Sequence, residues 1–361
     1  MSNTRKLIHP ILSFVIKYNQ QKEFSMKIGF YEMVINPPFL SHPIGHTQEK
    51  RFTSLIKGDL MMRTLYINES TPILIVTIDT FAISSDVYRK LSENAQEYFK
   101  TNVHVIVNAS NTHSAPSLFS NLGYNYASDY IEYVLERFEI CLLKLQIKEV
   151  NLTSSFIQKP IELNYMSKQQ NLTISLLQLK NSEKRFITLV FLSIIPNLIS
   201  QNTNYLSSDY VGVLMESLKQ LYPFESFMFL QQGYIDHQLI NNQDLTYQDC
   251  IKITHQLLEP IQRIMSKHYT GKSTSIDYAQ VSVETKYYQN ISCVSLRIGE
   301  VNMLFTPFKH HSSIEDNLKK HTLIVGLSNN YVDDVDQLFQ SLQQKKEKLL
   351  KIEREKLISY L

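Results

Sequence analysis

Apolar residues follow two rhythms along this chain. Apolar-rich runs at residues 26–35, 72–77, 103–107 and 227–231 read as strands, as do residues 57–68 once past their polar start. The first run is stopped by Asn36-Pro37-Pro38, because a proline forces the preceding residue out of helix and two in a row stop strand pairing. Residues 172–179 alternate apolar with polar, and the run at 185–195 ends at Pro196. Between these lie stretches with apolar positions three and four residues apart. Over Ser85–Phe99 they are Val87, Leu91, Ala95 and Phe99; over 124–145 they are Tyr130, Val134, Phe138, Cys141 and Leu145. That spacing predicts helices with one buried face.

The later chain predicts a helix over 207–222, with Ser208-Asp209 as its N-cap. A second helix is expected over 245–268, interrupted near Pro260. Ile276–Val283, Ile291–Ile298 and Val301–Phe305 read as strands, the last two joined as a hairpin about Gly299-Glu300, and Thr322–Val325 is a short strand. Residues 335–361 read as a lysine- and glutamate-rich helix carrying Leu338, Leu342, Leu349, Ile352 and Leu357. No internal repeat and no Pro-, Gly- or Ser-rich linker is visible. The pattern therefore predicts one continuous α/β domain of layered mixed sheets flanked by helices over 26–335. It would lie between an N-terminal extension (1–25) and a charged amphipathic helix (336–361), with Met26 a plausible start.

The chain has 361 residues, of which 43% are apolar and 19% charged, the balance of a folded protein. A formal net charge of +2, with no long basic tract, argues against a nucleic-acid partner. The three cysteines (Cys141, Cys250 and Cys293) are far apart and in no metal-type spacing, which predicts a reducing, cytoplasmic setting. With 9 glycines and no G-x-G-x-x-G or P-loop, nucleotide cradles of those types are excluded. Gly326-Leu327-Ser328-Asn329-Asn330 lacks the closing glycine of a nucleophile elbow and reads as a turn. No run is long enough to span a bilayer as a helix.

The strand at 103–107 ends in Asn108-Ala109-Ser110-Asn111-Thr112-His113-Ser114-Ala115-Pro116, a polar, histidine-bearing loop fed by a buried strand. Loops held in this way often carry sites. This one resembles the T-H-T-H-S-A/G-P loop of the neutral ceramidases, which are zinc amide hydrolases. Asn111 stands where that family has its first histidine, a zinc ligand, and His113 stands where the second lies beside the reaction centre.

Further segments resemble the same family in the same order. They are Gly29 with the Asn36-Pro37-Pro38 break, Asp59-Leu60-Met61-Met62-Arg63, and the strand ending at Asp79. Ser207-Ser208-Asp209-Tyr210-Val211-Gly212 is similar to S-x-D-x-x-G, and Phe229-Leu230-Gln231-Gln232-Gly233-Tyr234-Ile235-Asp236 to F-L-Q-G-x-x-G-D. Arg297-Ile298-Gly299-Glu300 and Phe305-Thr306-Pro307-Phe308 resemble the late hairpin and its P-G-E turn. The resemblance implies the fold of the ceramidase catalytic domain, without the immunoglobulin-like domain of the long members.

It also implies where zinc ligands would stand. Amide hydrolysis at neutral pH needs a strong nucleophile and a home for the oxyanion, and zinc supplies both. The family's ligands are two histidines, a glutamate and a tyrosine. Their positions hold Asn111, Ile195 and Lys309, with no tyrosine aligned, and Gln238 falls at the serine nucleophile of the long members. The expectation is a ceramidase-like protein that has lost its zinc site and needs no cofactor. Asn111, Thr112, Ser114, Gln232, Asp236, His237, Lys309 and His310 would line the old pocket beside a vestigial His113 and accept a small or lipid-like ligand. The alternative is an amide hydrolase with a zinc site rebuilt around His113, His237 and His310/His311. Asp59, Arg63, Asp79, Asp209 and Asp236 are expected to hold loops through caps and ion pairs. The terminal helix offers a packing surface for a homo-oligomer.

Overall fold

The computed structural model describes residues 25–43, 52–118, 127–163, 172–183, 186–200, 203–233, 245–266, 271–283, 291–307 and 321–329. Strands β1 (Ser25–Val34), β2 (Met61–Asn68) and β3 (Pro72–Ile78) form an antiparallel meander. Helix α1 (Ser85–Phe99) then leads to β4 (His104–Ala109), which runs parallel to β3 and is followed by helix α2 (Ala127–Lys144). The next stretch repeats this plan. Strands β5 (Lys148–Ile161), β6 (Leu172–Asn181) and β7 (Phe186–Leu192) are antiparallel neighbours. Helix α3 (Asp209–Leu221) leads to β8 (Ser226–Gln231), parallel to β7, and helix α4 (Tyr247–Met265) follows.

The two halves join where β1 pairs with β5, giving the strand order β4-β3-β2-β1-β5-β6-β7-β8, with β9 (Lys272–Ser273) beside β5. A second sheet holds β10 (Ile276–Val283), β11 (Ile291–Ile298), β12 (Val301–Phe305) and β13 (Thr322–Val325), the last pair parallel. Three apolar layers follow. Val87, Leu91, Val134 and Phe138 of α1 and α2 pack on Leu74, Val76 and Ile78 of the first half. Val211, Leu214, Leu257 and Ile261 of α3 and α4 pack on Val190, Leu192 and Phe229 of the second. The opposite face of the long sheet, with Leu65, Ile75, Ile106, Leu189 and Leu230, closes on Leu296, Met303 and Val325 of the small sheet. The layered α/β architecture expected from the periodicities is the one observed.

Several local expectations need correction. A repeat is present in three dimensions although the sequence shows none, since only apolar period is shared between Pro72–Ile78 and Phe186–Leu192. Strand β5 was not foreseen; its inward positions include Ser154 beside Val150 and Leu152, and its outward end is Gln158-Lys159-Pro160, so the apolar signal is diluted. Helix α4 is continuous through Pro260. Leu257, Ile261 and Ile264 bury its apolar side on both flanks of the proline, and that packing holds the helix through the missing hydrogen bond. The Ser208 side chain makes no cap bond to α3; Ser207 and Asp209 take that role instead, as described below. The terminal segments, 1–24 and 330–361, including the expected charged helix, lie outside the described residues.

Candidate functional site

The central loop is folded inward. Asn111 has φ 71°, a left-handed conformation that asparagine tolerates better than most residues. Its N–H donates to the Thr80 carbonyl (2.9 Å) and its side-chain NH2 to the Phe81 carbonyl (2.7 Å). The residue is fully buried, and its Oδ1 meets no hydrogen-bond donor among the described residues. Thr112, equally buried, donates its hydroxyl to the Ser207 carbonyl (2.8 Å) and accepts the Ser114 N–H (3.3 Å). Ser114 returns the contact by accepting the Ser207 N–H (2.9 Å). His113 is half-buried, its ring edge-on to Phe81 at 4.8 Å. Three of the four loop positions expected to line a pocket are thus packed against neighbouring loops, while His113 keeps partial exposure.

Duplication explains what faces this loop. In the register of the parallel pairs, Ile78 is opposite Ala109 and Leu192 is opposite Gln231. Ser110 and Gln232 are therefore equivalent, and each donates its N–H to the last carbonyl of the preceding parallel strand, Ile78 (3.0 Å) and Leu192 (3.1 Å). Asn108 ties the two strand ends together. Its Oδ1 accepts the Gln231 N–H (3.3 Å), and its NH2 donates to the Gly326 carbonyl (2.6 Å) and to Ser328 Oγ (3.1 Å). Ser328 N–H donates on to Thr306 (2.8 Å), and Asn329 exchanges bonds with Val107 in both directions. The Gly326-Leu327-Ser328-Asn329 segment is therefore the plug of a three-way seam, and its backbone is spent on that seam. The bases of the segments expected around one site do converge here. Asp236, His237, Gln238, Lys309, His310 and His311 lie outside the described residues.

The loop carrying Ile195 is held by the start of α3. Asp209 has φ 59° and is buried. Its Oδ2 accepts the N–H groups of Leu198 (2.9 Å) and Ile199 (3.0 Å), and its Oδ1 accepts that of Tyr210 (2.8 Å). Ser207 Oγ accepts the Asp209 N–H (3.0 Å), and the Tyr210 hydroxyl donates to the Ile194 carbonyl (2.6 Å). Burial pushes the Asp209 carboxyl up to about 6 against the downward pull of those N–H donors. The glycine that ends this motif has a steric reason. A Cβ at Gly212 would stand 1.8 Å from Ser208 Oγ and 2.8 Å from Ser208 Cβ. Gly212→Ala is expected to cost about 1–3 kcal/mol by overpacking, measurable by urea unfolding. No loss, or the small gain that Gly→Ala brings in an exposed helix, would sink this account.

A buried ion network lies under the same end of the first half. Arg63, its side chain 4% exposed, reaches Asp79 (3.6 Å) and Glu32 (3.5 Å), and Lys219 of α3 contacts Glu32 as well. Asp79 also accepts the Met61 N–H (3.0 Å). Asp59 accepts from the Asn36 side chain (2.7 Å), whose own oxygen accepts the Leu60 N–H (2.8 Å), fastening the proline turn to β2. Asp59, Arg63, Asp79 and Asp209 thus hold loops, as expected. Sequence reading missed the role of Glu32, which sits opposite Arg63 in the β1–β2 register.

A zinc ion needs three or more nitrogen, sulfur or carboxylate ligands. At the positions where the resemblance implies ligands, Asn111 offers a buried amide oxygen and Ile195 offers no donor atom. No group of three or more His, Cys, Asp or Glu placed to hold a metal lies among the described residues. The two described positions where the resemblance implies ligands, Asn111 and Ile195, do not fit zinc.

No family model matches the sequence, and no curated protein matches it. Solved structures do. The neutral ceramidase from Pseudomonas aeruginosa superposes with a TM-score of 0.64 at 10% identity, over 85% of this chain and 68% of that one. A ceramidase complexed with C2 superposes with a TM-score of 0.63 at 11% identity, over 85% of this chain and 69% of that one. No described helix is long and apolar enough to cross a membrane. With its doubled meander-helix-strand plan and its small second sheet, this chain has the neutral ceramidase fold.

Proposed function

We propose that this chain is a ceramidase-like protein whose inherited zinc position has become structural, and that it acts as a binding or accessory protein for a small or lipid-like ligand. The observation that carries this reading is Asn111. Where the resemblance implies a zinc-binding histidine, this side chain is fully buried and donates to the Phe81 carbonyl. Ile195, also buried, supports it. Residence in the cytoplasm belongs to the same reading, in keeping with three buried cysteines, none in a disulfide.

Metal analysis of the purified chain tests the proposal. The expected result is well under one zinc per chain and no appreciable hydrolysis of N-acyl sphingosine. Asn111→His alone should not raise the zinc content, because Ile195 and Lys309 remain and one ligand cannot hold zinc against water. Stoichiometric zinc that survives dialysis and vanishes in His113→Ala, His237→Ala or His310→Ala would replace this reading with an amide hydrolase built on a rearranged site.

A further inference from the structure

Strand β1 lies inside the long sheet, yet it has a second neighbour along only part of its length. It pairs with β2 over residues 27–34 and with β5 over residues 25–28. Past Ile28 the chain that leads into β5 turns away through Gln146 and Ile147, each with an atom 3.1 Å from where a Cβ of Gly29 would stand. Among the described residues no strand takes the place beside residues 30–34.

The hydrogen-bonding pattern decides which groups this leaves open. In an antiparallel pair, alternate residues bond to the partner strand and those between point away from it. The Ile35 N–H donates to the Leu60 carbonyl (2.8 Å), and the register from that pair assigns Tyr31 and Met33 to β2 as well. Met61, opposite Val34, agrees: its N–H donates to the Asp79 carboxylate (3.0 Å) and its carbonyl accepts the Asp79 N–H (2.9 Å), both on the β3 side. The N–H and carbonyl groups of Phe30, Glu32 and Val34 therefore face outward, away from β2.

They face a trough. A cavity of about 850 Å³ lies over Glu32 and Val34, bounded by α3, α4 and the 223–226 turn. A smaller one of about 160 Å³ lies over Ile28, Gly29 and Phe30. Phe224 and Ser226 line both, so the two run together along the open edge. The rim is apolar, with Phe224 88% exposed and Val34 39%. Met61, Val213 and Phe227 continue that surface inward. The Lys219 side chain, which reaches Glu32 across the trough, is half-exposed and can swing aside.

Natural sheets blunt an open edge with lysine or proline. The edge of β5 beyond β9 also has no described partner, and it carries exposed Gln158-Lys159-Pro160. Phe30, Glu32 and Val34 carry no such device. We propose that this trough binds an extended, apolar peptide segment of a partner protein, which adds to β1 as a strand. Its backbone pairs with Phe30, Glu32 and Val34, and its side chains cover Val34 and Phe224. Walls on both sides admit a single strand, whereas the sheet edge of a second folded copy would meet α3 and the 223–226 turn. The site does not depend on what the central loop binds.

Fluorescence anisotropy of the full chain with the amidated hexapeptide Lys-Val-Thr-Val-Thr-Val, labelled at its N-terminus, tests this. Saturable binding is expected, and loss of binding when two adjacent central residues of the peptide are N-methylated, which strips donors from both of its edges. Val34→Pro removes one outward N–H without touching the β2 ladder and should weaken binding about tenfold or more. Phe224→Ser, at an exposed position, should weaken it about threefold or more. If Val34→Pro melts far below the parent, amide exchange in the unmodified chain decides: the peptide should slow exchange at Phe30, Glu32 and Val34 and leave Tyr31 and Met33 as they were. No saturable binding, equal binding of the N-methylated peptide, or unchanged exchange at those three positions would overturn the proposal. So would protection there before any peptide is added, which would assign the edge to the chain's own residues, or a dimer broken by Val34→Pro, which would assign it to a second copy.

Discussion

Arg63→Met is expected to cost about 3–5 kcal/mol of folding stability, the penalty for leaving buried charges without their partner. Methionine fills most of the volume, so the loss reports charge. Asp79 is almost fully buried, and its ionised form is supported by the Met61 N–H and by Arg63. Burial already raises its carboxyl above the usual range, and Arg63 is the strongest opposing influence. Without Arg63 the carboxyl rises further. An acid whose folded pKa lies above its unfolded value loses stability as pH rises through that interval. The variant should therefore be hurt more at pH 8 than at pH 5. Adding Asp79→Asn should recover part of the loss by removing the stranded charge. Urea unfolding at both pH values decides it, and a deficit under about 1 kcal/mol, typical of an exposed pair, would show that this network is solvated.

Asp209→Ala is expected to cost about 2–4 kcal/mol at pH 7, because it orphans the N–H groups of Leu198, Ile199 and Tyr210 in a buried setting. Alanine also fits a φ of 59° less well than aspartate does. The pH dependence has a definite sign. The carboxyl rises from 3.8 in the open chain to about 6 in the fold, chiefly through burial. The wild-type fold is therefore favoured below that window and gives up about 3 kcal/mol as pH climbs from 4 to beyond 6. The alanine variant has no such group, so its deficit should be larger at pH 4 than at pH 7. Denaturation midpoints across pH 4 to 7 measure this. A deficit that grows with pH would mean that the three N–H donors outweigh burial. Amide exchange should show Leu198 and Ile199 losing protection first, since Asp209 is what holds them.

The sequence by itself determined the local elements and, through its punctuation, much of the fold. Apolar runs and helical spacing mark β1, α1, α3 and the β11–β12 hairpin because burial on one face leaves a period of two or of three to four. Asn36-Pro37-Pro38 and Ser207-x-Asp209-x-x-Gly212 are legible for a related reason. Each encodes a backbone demand that few residues meet: a proline turn fastened to Leu60 in one, and in the other a left-handed aspartate and a glycine against Ser208. Such demands sit within a few residues, so they leave a mark in the letters. They carried the family resemblance at 10% identity.

The rest was decided only by tertiary structure. That Asn111 turns into the protein depends on Phe81, 30 residues away, and that Asn108 closes the seam depends on Gly326, 218 residues away. The partnership of Arg63 with Glu32 needs the β1–β2 register, and the cavity needs α3 laid beside β1. The repeat of the two halves escapes the letters because a buried strand asks only for apolar bulk, which many sequences supply equally well. Long-range pairing fixes which side chains meet, and a one-dimensional pattern carries the faces of elements but not the neighbours those faces find.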